Sequence, residues 1–126
     1  MDRQIYASDW KVLEQLWEKS PQTLMQLVHA LSQEVGWSKS TVATMVKRME
    51  AKGLLRFEEG DKARRIYPTL TREEASFFET NTLIDKVFKG SPGLLMASLI
   101  EQTRLSQKEI DGLYAMLKKA EEERNA

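Results

Sequence analysis

A mostly α-helical fold carrying one small β-hairpin is predicted by three features of this 126-residue sequence. Apolar residues recur at helical spacing in segments closed by Gly36, by Gly53 and by the run Gly90-Ser91-Pro92-Gly93. Two capping-box patterns, Thr71 with Glu74 and Ser106 with Glu109, mark further helix starts. Only from Leu54 to Pro68 does the period shorten to that of strands, around the turn-forming Glu59-Gly60-Asp61-Lys62.

The elements follow in order. Ser8 is placed to cap a first helix, with Asp9 favourable in the first turn and Trp10, Leu13 and Trp17 on one apolar face as far as Lys19. Ser20 and Pro21 break it. Thr23 caps a second helix carrying Leu24, Leu27, Val28, Leu31 and Val35, and Gly36 supplies a left-handed exit. Ser38 caps a third, running to Lys52, whose Val42, Met45, Val46 and Met49 form the inner stripe before Gly53 stops it. Leu54 to Glu58 and Arg65 to Pro68 then pair as a hairpin. Because an isolated hairpin is marginal in water, Leu55, Phe57, Ile66 and Tyr67 are expected to pack partly on the helices.

Thr71 opens a fourth helix with Phe77, Asn81, Ile84 and Phe88 near one face, closed by the Gly-Ser-Pro-Gly run. A fifth spans Leu94 to about Gln102, and a sixth, opened by Ser106, carries Ile110, Leu113, Tyr114 and Leu117. The polar stretch from Glu121 to Ala126 is expected to be untethered. The division falls after Leu70: residues 1–70 form three helices and a hairpin, the plan of a winged helix-turn-helix, and residues 71–126 form a three-helix region.

Composition excludes several functions. The sequence has no cysteine and one histidine, His29, which leaves no disulfide, no thiolate nucleophile, and too few soft ligands for zinc. No nucleophile with an activating base, no paired acid and base and no phosphate-cradling glycine loop is visible, so the chain is read as no enzyme and no cofactor is expected. His29 reads as a solvated or half-buried side chain, Glu73-Glu74 as a favourable helix start and Glu121-Glu122-Glu123 as a solvated tail. Met1 to Tyr6 lacks the apolar stretch of a signal peptide, and Leu94 to Ile100 is far short of a membrane span, which reads as a soluble cytoplasmic protein.

Lys and Arg number 19, as do Asp and Glu, so the formal net charge is zero. The distribution is uneven. Between Gly36 and Pro68 eight cationic residues stand against four anionic ones, and such a patch attracts an anionic partner because opposite charge beyond about 8–10 Å is screened. Burying the inner stripe of the third helix turns Ser40, Ala43, Thr44, Lys47 and Arg48 outward. Hydroxyls and Arg48 can reach base edges there, Lys39 and Lys47 can neutralise phosphates, and Lys62, Arg64 and Arg65 of the hairpin can grip an adjacent backbone. With Ser38 and Thr41 at the helix start, these form the candidate DNA-binding set.

The segment Asp9-Trp10-Lys11-Val12-Leu13 with Leu16-Trp17, the stretch from Trp37-Ser38-Lys39-Ser40-Thr41-Val42-Ala43-Thr44 through Lys47-Arg48-Met49 to Lys52-Gly53-Leu54, then Tyr67-Pro68 and Leu105-Ser106, resemble the penicillinase repressor family of bacterial transcription regulators, which includes the BlaI, MecI and CopY types. The resemblance covers nearly the whole chain. It implies a homodimeric repressor that binds double-stranded DNA at a palindromic operator through its winged domain and dimerises through its carboxy-terminal helices. The family's DNA-contacting positions fall on Ser40, Thr41, Thr44 and Arg48.

In the copper-responsive branch the signal acts on a cysteine-rich tail, which this sequence lacks. In the β-lactam branch a membrane sensor protease leads to cleavage at an Asn-Phe bond; its position falls on Ser98-Leu99, where the asparagine is missing.

Phe77, Ile84, Phe88, Leu95, Leu99, Ile110, Leu113, Tyr114 and Leu117 are more apolar surface than about 55 residues bury alone, and are the candidate dimer contacts. Two other readings stand beside the repressor. One is a winged helix that docks a protein instead of DNA; the other is a repressor with a small-molecule pocket among Trp10, Trp17, Phe77 and Phe88.

Overall fold

The computed structural model describes residues 4–126, so the start of the Met1 to Tyr6 segment read for a leader lies outside the described residues. The elements are α1 (Ala7–Glu18), α2 (Leu24–Val35), α3 (Lys39–Ala51), β1 (Leu55–Glu58), β2 (Arg65–Pro68), α4 (Arg72–Val87), α5 (Pro92–Gln102) and α6 (Gln107–Arg124). They belong to two compact units that divide between Thr80 and Asn81, inside α4.

In the first unit the three helices and the hairpin close on one core: Val12, Leu13 and Leu16 of α1, Leu27 and Leu31 of α2, Val42, Met45, Val46 and Met49 of α3, and Leu54, Leu55, Ile66 and Ala75. The stripe of α3 is buried as its spacing predicts. That of α1 differs from the expected Trp10, Leu13 and Trp17, because both tryptophans remain half-buried at the margin. Their rings meet edge to face at 5.3 Å, and the Trp17 Nε1–H donates to the Leu70 carbonyl at 2.9 Å. An indole needs a partner for its N–H, which favours the boundary over the centre. The cap of α1 also differs: the helix starts at Ala7 rather than after Ser8, and the Asp9 carboxylate accepts from the Tyr6 backbone N–H at 3.0 Å.

Thr23 and Ser38 cap α2 and α3 through their hydroxyls, and Gly36 leaves α2 at φ 73°. A strand bridge that sequence periodicity does not reveal joins the segment between α1 and α2 to the hairpin: Gln22 N–H donates to the Ile66 carbonyl at 3.2 Å, and Ile66 N–H to the Gln22 carbonyl at 2.8 Å. The Gln22 side chain donates to the Gln15 and Lys19 carbonyls, satisfying the open end of α1. One buried residue thereby ties α1 to the wing.

The hairpin pairs Leu55 with Pro68, Arg56 with Tyr67, Phe57 with Ile66 and Glu58 with Arg65. Strand alternation sends Leu55, Phe57 and Ile66 to the core side. It sends Tyr67 to the other face, contrary to its expected packing on the helices, and there the Arg56 guanidinium lies 4.0 Å from the ring centroid. Thr71 and Glu74 form the predicted capping box of α4, whose Ala75 is buried in the core.

The second unit holds the rest of α4 with α5 and α6. Ser91 caps α5 and Pro92 takes its first turn, so this helix begins two residues before the expected Leu94; proline suits that position because its missing N–H has no helical partner there. Ser106 and Glu109 cap α6 reciprocally, and the helix runs to Arg124, well into the stretch read as untethered. Among the described residues of α5 and α6 none is buried. No described helix is long and apolar enough to cross a membrane.

Two glycines carry opposite predictions. Gly36 has positive φ, where a β-carbon is strained, so Gly36→Ala is expected to lower stability by about 1 kcal/mol. Gly112 lies inside α6 with nothing within 4 Å of an added Cβ, so Gly112→Ala is expected to raise the thermal midpoint of α6 by an amount worth about 0.5–1 kcal/mol. Melting followed by circular dichroism checks both signs.

Candidate nucleic-acid interface

Burial of Val42, Met45, Val46 and Met49 leaves Ser40, Thr44 and Lys47 exposed on the opposite side of α3 beside the half-buried Ala43, with Thr41 and Arg48 exposed at its flank and Lys39 exposed in the first turn. Ser38 has a structural task first. Its Oγ accepts from the Thr41 N–H at 3.2 Å, donates to Thr41 Oγ1 at 3.0 Å and lies 3.1 Å from Ser40 Oγ, so three hydroxyls cluster on the first turn of α3.

Lys62, Arg64 and Arg65 are exposed on the wing. The Arg64 guanidinium lies 4.8 Å from the Phe57 ring centroid, and Arg56 pairs with Glu58 at 3.0 Å on the strand below. The wing's turn needs Gly60, because an added Cβ would lie 2.4 Å from the Ala63 carbonyl oxygen. Between α3 and the wing runs a groove of about 580 Å³ whose lining includes Leu24, Met25, Ala43, Val46 and Phe57 together with the charged Lys47, Glu50 and Arg64. The two cationic elements thus flank one channel.

Arg48 is placed outward as expected, but it is not loose. Its Nη2 donates to Asp9 Oδ1 at 2.7 Å and approaches Met45 Sδ at 3.3 Å, while 44% of its side chain stays exposed. Lys52 Nζ donates to the other Asp9 oxygen and to the Gln4 carbonyl, and lies 4.3 Å from the centroid of the Tyr6 ring. Asp9 is fully buried. Burial pushes its carboxyl up, but hydrogen bonds from Lys52, the Tyr6 backbone and Arg48 outweigh burial and hold it below the ordinary aspartate value. Sequence reasoning assigns Asp9 only to a helix start. Its partners are 39 and 43 residues away, beyond any local spacing rule.

Of the candidate dimer contacts, Phe77, Leu99, Leu113, Tyr114 and Leu117 are exposed, and Ile84, Phe88, Leu95 and Ile110 are half-buried. The Ser98-Leu99 bond lies inside α5. His29 is exposed, and no group of three His, Cys, Asp or Glu among the described residues could hold a metal ion. Trp10 and Trp17 pack on each other and on the core, and Phe77 is 73% exposed.

The sequence pattern of the penicillinase repressor family matches residues 5–119. The methicillin resistance regulatory protein MecI of Staphylococcus aureus (strain N315) is 25% identical over 122 residues, covering 94% of this chain and 99% of that protein. The penicillinase repressor of Bacillus licheniformis is 24% identical over 114 residues, covering 90% of this chain and 89% of its own. Among solved structures, the DNA-binding domain of the repressor BlaI superposes with a TM-score of 0.52 at 24% identity, over 57% of this chain and 88% of that domain. The monomeric form of Bacillus licheniformis BlaI in complex with the blaP half-operator does so with a TM-score of 0.52 at 24% identity, over 56% and 87%. These two share the winged fold of the first unit.

Asp9 generates a pH prediction. A carboxyl whose folded pKa lies below its unfolded value contributes stability that is complete above the unfolded pKa, 3.8, and is lost as pH falls through the lowered folded value. The gap in urea midpoint between wild type and Asp9→Asn is therefore expected to be widest near neutrality and to close below about pH 4. A gap that persists undiminished at pH 2.5 would show that the ionised carboxylate contributes nothing.

Proposed function

The chain belongs to the penicillinase repressor family, and we propose on that premise that it is a homodimeric transcriptional repressor that binds a palindromic DNA operator. In this reading residues 1–70 are the DNA-binding domain and residues 71–126 the dimerisation region. The observation that carries it is the outer face of α3, which exposes the hydroxyls of Ser40 and Thr44 beside Lys47, with Lys47 lying across one groove from Arg64 of the wing. Helix α3 enters the major groove with Ser40, Thr41, Thr44 and Arg48 toward base edges; Lys39, Lys47, Lys62, Arg64 and Arg65 neutralise phosphates. The complex of the Bacillus licheniformis BlaI with the blaP half-operator supports DNA binding by the same winged fold here.

Dimerisation is supported by the second unit, which keeps Leu99, Tyr114, Met116 and Leu117 about half or more exposed. Covering roughly 600 Å² of such surface per subunit yields a gross gain on the order of 15 kcal/mol, ahead of the costs of association. Two-fold symmetry then spaces the two α3 helices by about one turn of DNA, ~34–36 Å, or a multiple of it. Release acts through the carboxy-terminal region. A membrane sensor protease pathway is one source of that signal, and cutting at Ser98-Leu99 requires α5 to open first, because a bond inside a helix does not present an extended segment.

The test is a fluorescence-anisotropy titration of a palindromic duplex, selected by the protein from a randomised pool, beside its scrambled counterpart at two salt concentrations. Tight, salt-dependent binding that favours the palindrome is expected; no binding to either duplex at low salt would favour a protein-docking module. Lys62→Ala or Arg65→Ala is expected to weaken both duplexes alike and to reduce the salt slope by about 0.9 for each phosphate that is no longer neutralised. Leu113→Asp is expected to give monomers at micromolar concentration, read by analytical ultracentrifugation, since a carboxylate in an apolar interface costs several kcal/mol.

A further inference from the structure

We propose that Asp9, which belongs to neither α3 nor the wing, is a positioning residue of the DNA interface: it holds the Arg48 guanidinium in one place at the edge of α3 and keeps Lys52 away from the duplex. This rests on the DNA-binding reading above and adds a residue to the same site.

Three observations carry it. Asp9 is fully buried, so it cannot itself face a duplex. Its two carboxylate oxygens take separate partners, Oδ1 the Arg48 Nη2 and Oδ2 the Lys52 Nζ, so both cations are fixed by one anion. The outcomes for the two differ. Both cations lie over the Tyr6 ring, Arg48 at 5.5 Å and Lys52 at 4.3 Å, but Arg48 keeps 44% of its side chain exposed, whereas Lys52 keeps 18% and is held further by the Gln4 carbonyl.

Base readout by arginine depends on the direction of its planar donor fork, and a guanidinium already anchored on one side presents that fork in a narrow range. Phosphate attraction depends on charge and much less on direction. A carboxylate that anchors one cation and withdraws the other therefore favours sequence discrimination over indiscriminate attraction. Removing its charge releases both.

The experiment compares wild type with Asp9→Asn in the titration above, on the selected palindrome and on its scrambled counterpart. Wild-type preference for the palindrome is the control for the functional reading. In Asp9→Asn, binding to the scrambled duplex is expected to tighten, the salt slope to steepen by about one to two units, and the preference for the palindrome to fall roughly tenfold. A merely structural role would weaken both duplexes together. In an Arg48→Gln background, Asp9→Asn is expected to leave the remaining preference unchanged.

Should Asp9→Asn fail to fold by circular dichroism, Arg48→Lys tests the same point, since it keeps the charge and loses the fork: the preference is expected to fall with the salt slope unchanged. An unaltered preference in folded Asp9→Asn, or in Arg48→Lys where that variant stands in, overturns the positioning role and leaves the DNA-binding reading intact. An equal fall with and without Arg48 overturns it in the same way. A wild-type protein that does not prefer the palindrome ends both.

Discussion

Burial of four side chains on α3 is the constraint from which the candidate interface follows. Val42, Met45, Val46 and Met49 are inserted between α1, α2 and the hairpin, and a helix with 3.6 residues per turn then has no choice about the direction of Lys39, Ser40, Thr44 and Lys47. The outer face needs small residues if a groove is to approach it, and Ser40, Ala43 and Thr44 supply them. The same stripe also sets the wing, because Leu54 and Leu55 continue directly from the end of α3 into the core.

The wing is short, and a two-stranded hairpin of this size has little stability of its own. Two ties outside the hairpin hold it. The bridge between Gln22 and Ile66 makes the hairpin part of a three-segment pairing, and the Gln22 amide closes the carbonyl end of α1 at the same time. Trp17, bonded to the Leu70 carbonyl, anchors the chain where it leaves β2 for α4. Electrostatics then act on a rigid frame. The chain as a whole is neutral, yet between Gly36 and Pro68 cations outnumber anions eight to four, and Asp9 takes two of those cations, Arg48 and Lys52, out of the loosely tethered population.

The second unit obeys a different constraint. Its helices are well capped by Ser91 and by the Ser106-Glu109 pair, so local structure is settled, but α5 and α6 together bury no residue of their own. Capping supplies tenths to about one or two kcal/mol per helix end and cannot replace a core. The order of the helices is thus local, and the exposed Leu99, Ile100, Tyr114 and Leu117 are the surface on which the proposed dimer depends.

What the amino-acid sequence determined by itself was most of what depends on neighbours within a few residues, the start of α1 after Tyr6 and of α5 at Pro92 being the local features it placed elsewhere. The caps at Thr23, Ser38, Thr71 and Ser106, the left-handed exit at Gly36, the inner stripe of α3 and the paired strands around Gly60 were all legible, because capping, periodicity and turn chemistry act over one helical turn or one hairpin. Tertiary structure alone decided which of those residues are shared between elements. It kept Leu13 in the core of α1 but replaced the tryptophans there with Val12 and Leu16, joined Gln22 to Ile66, and turned Tyr67 outward onto Arg56. Above all it took Asp9 from a favourable helix start to a buried anion between two cations distant in sequence. No spacing rule reaches that pairing, since it exists only once α1 and α3 have packed and water has been excluded from the carboxylate.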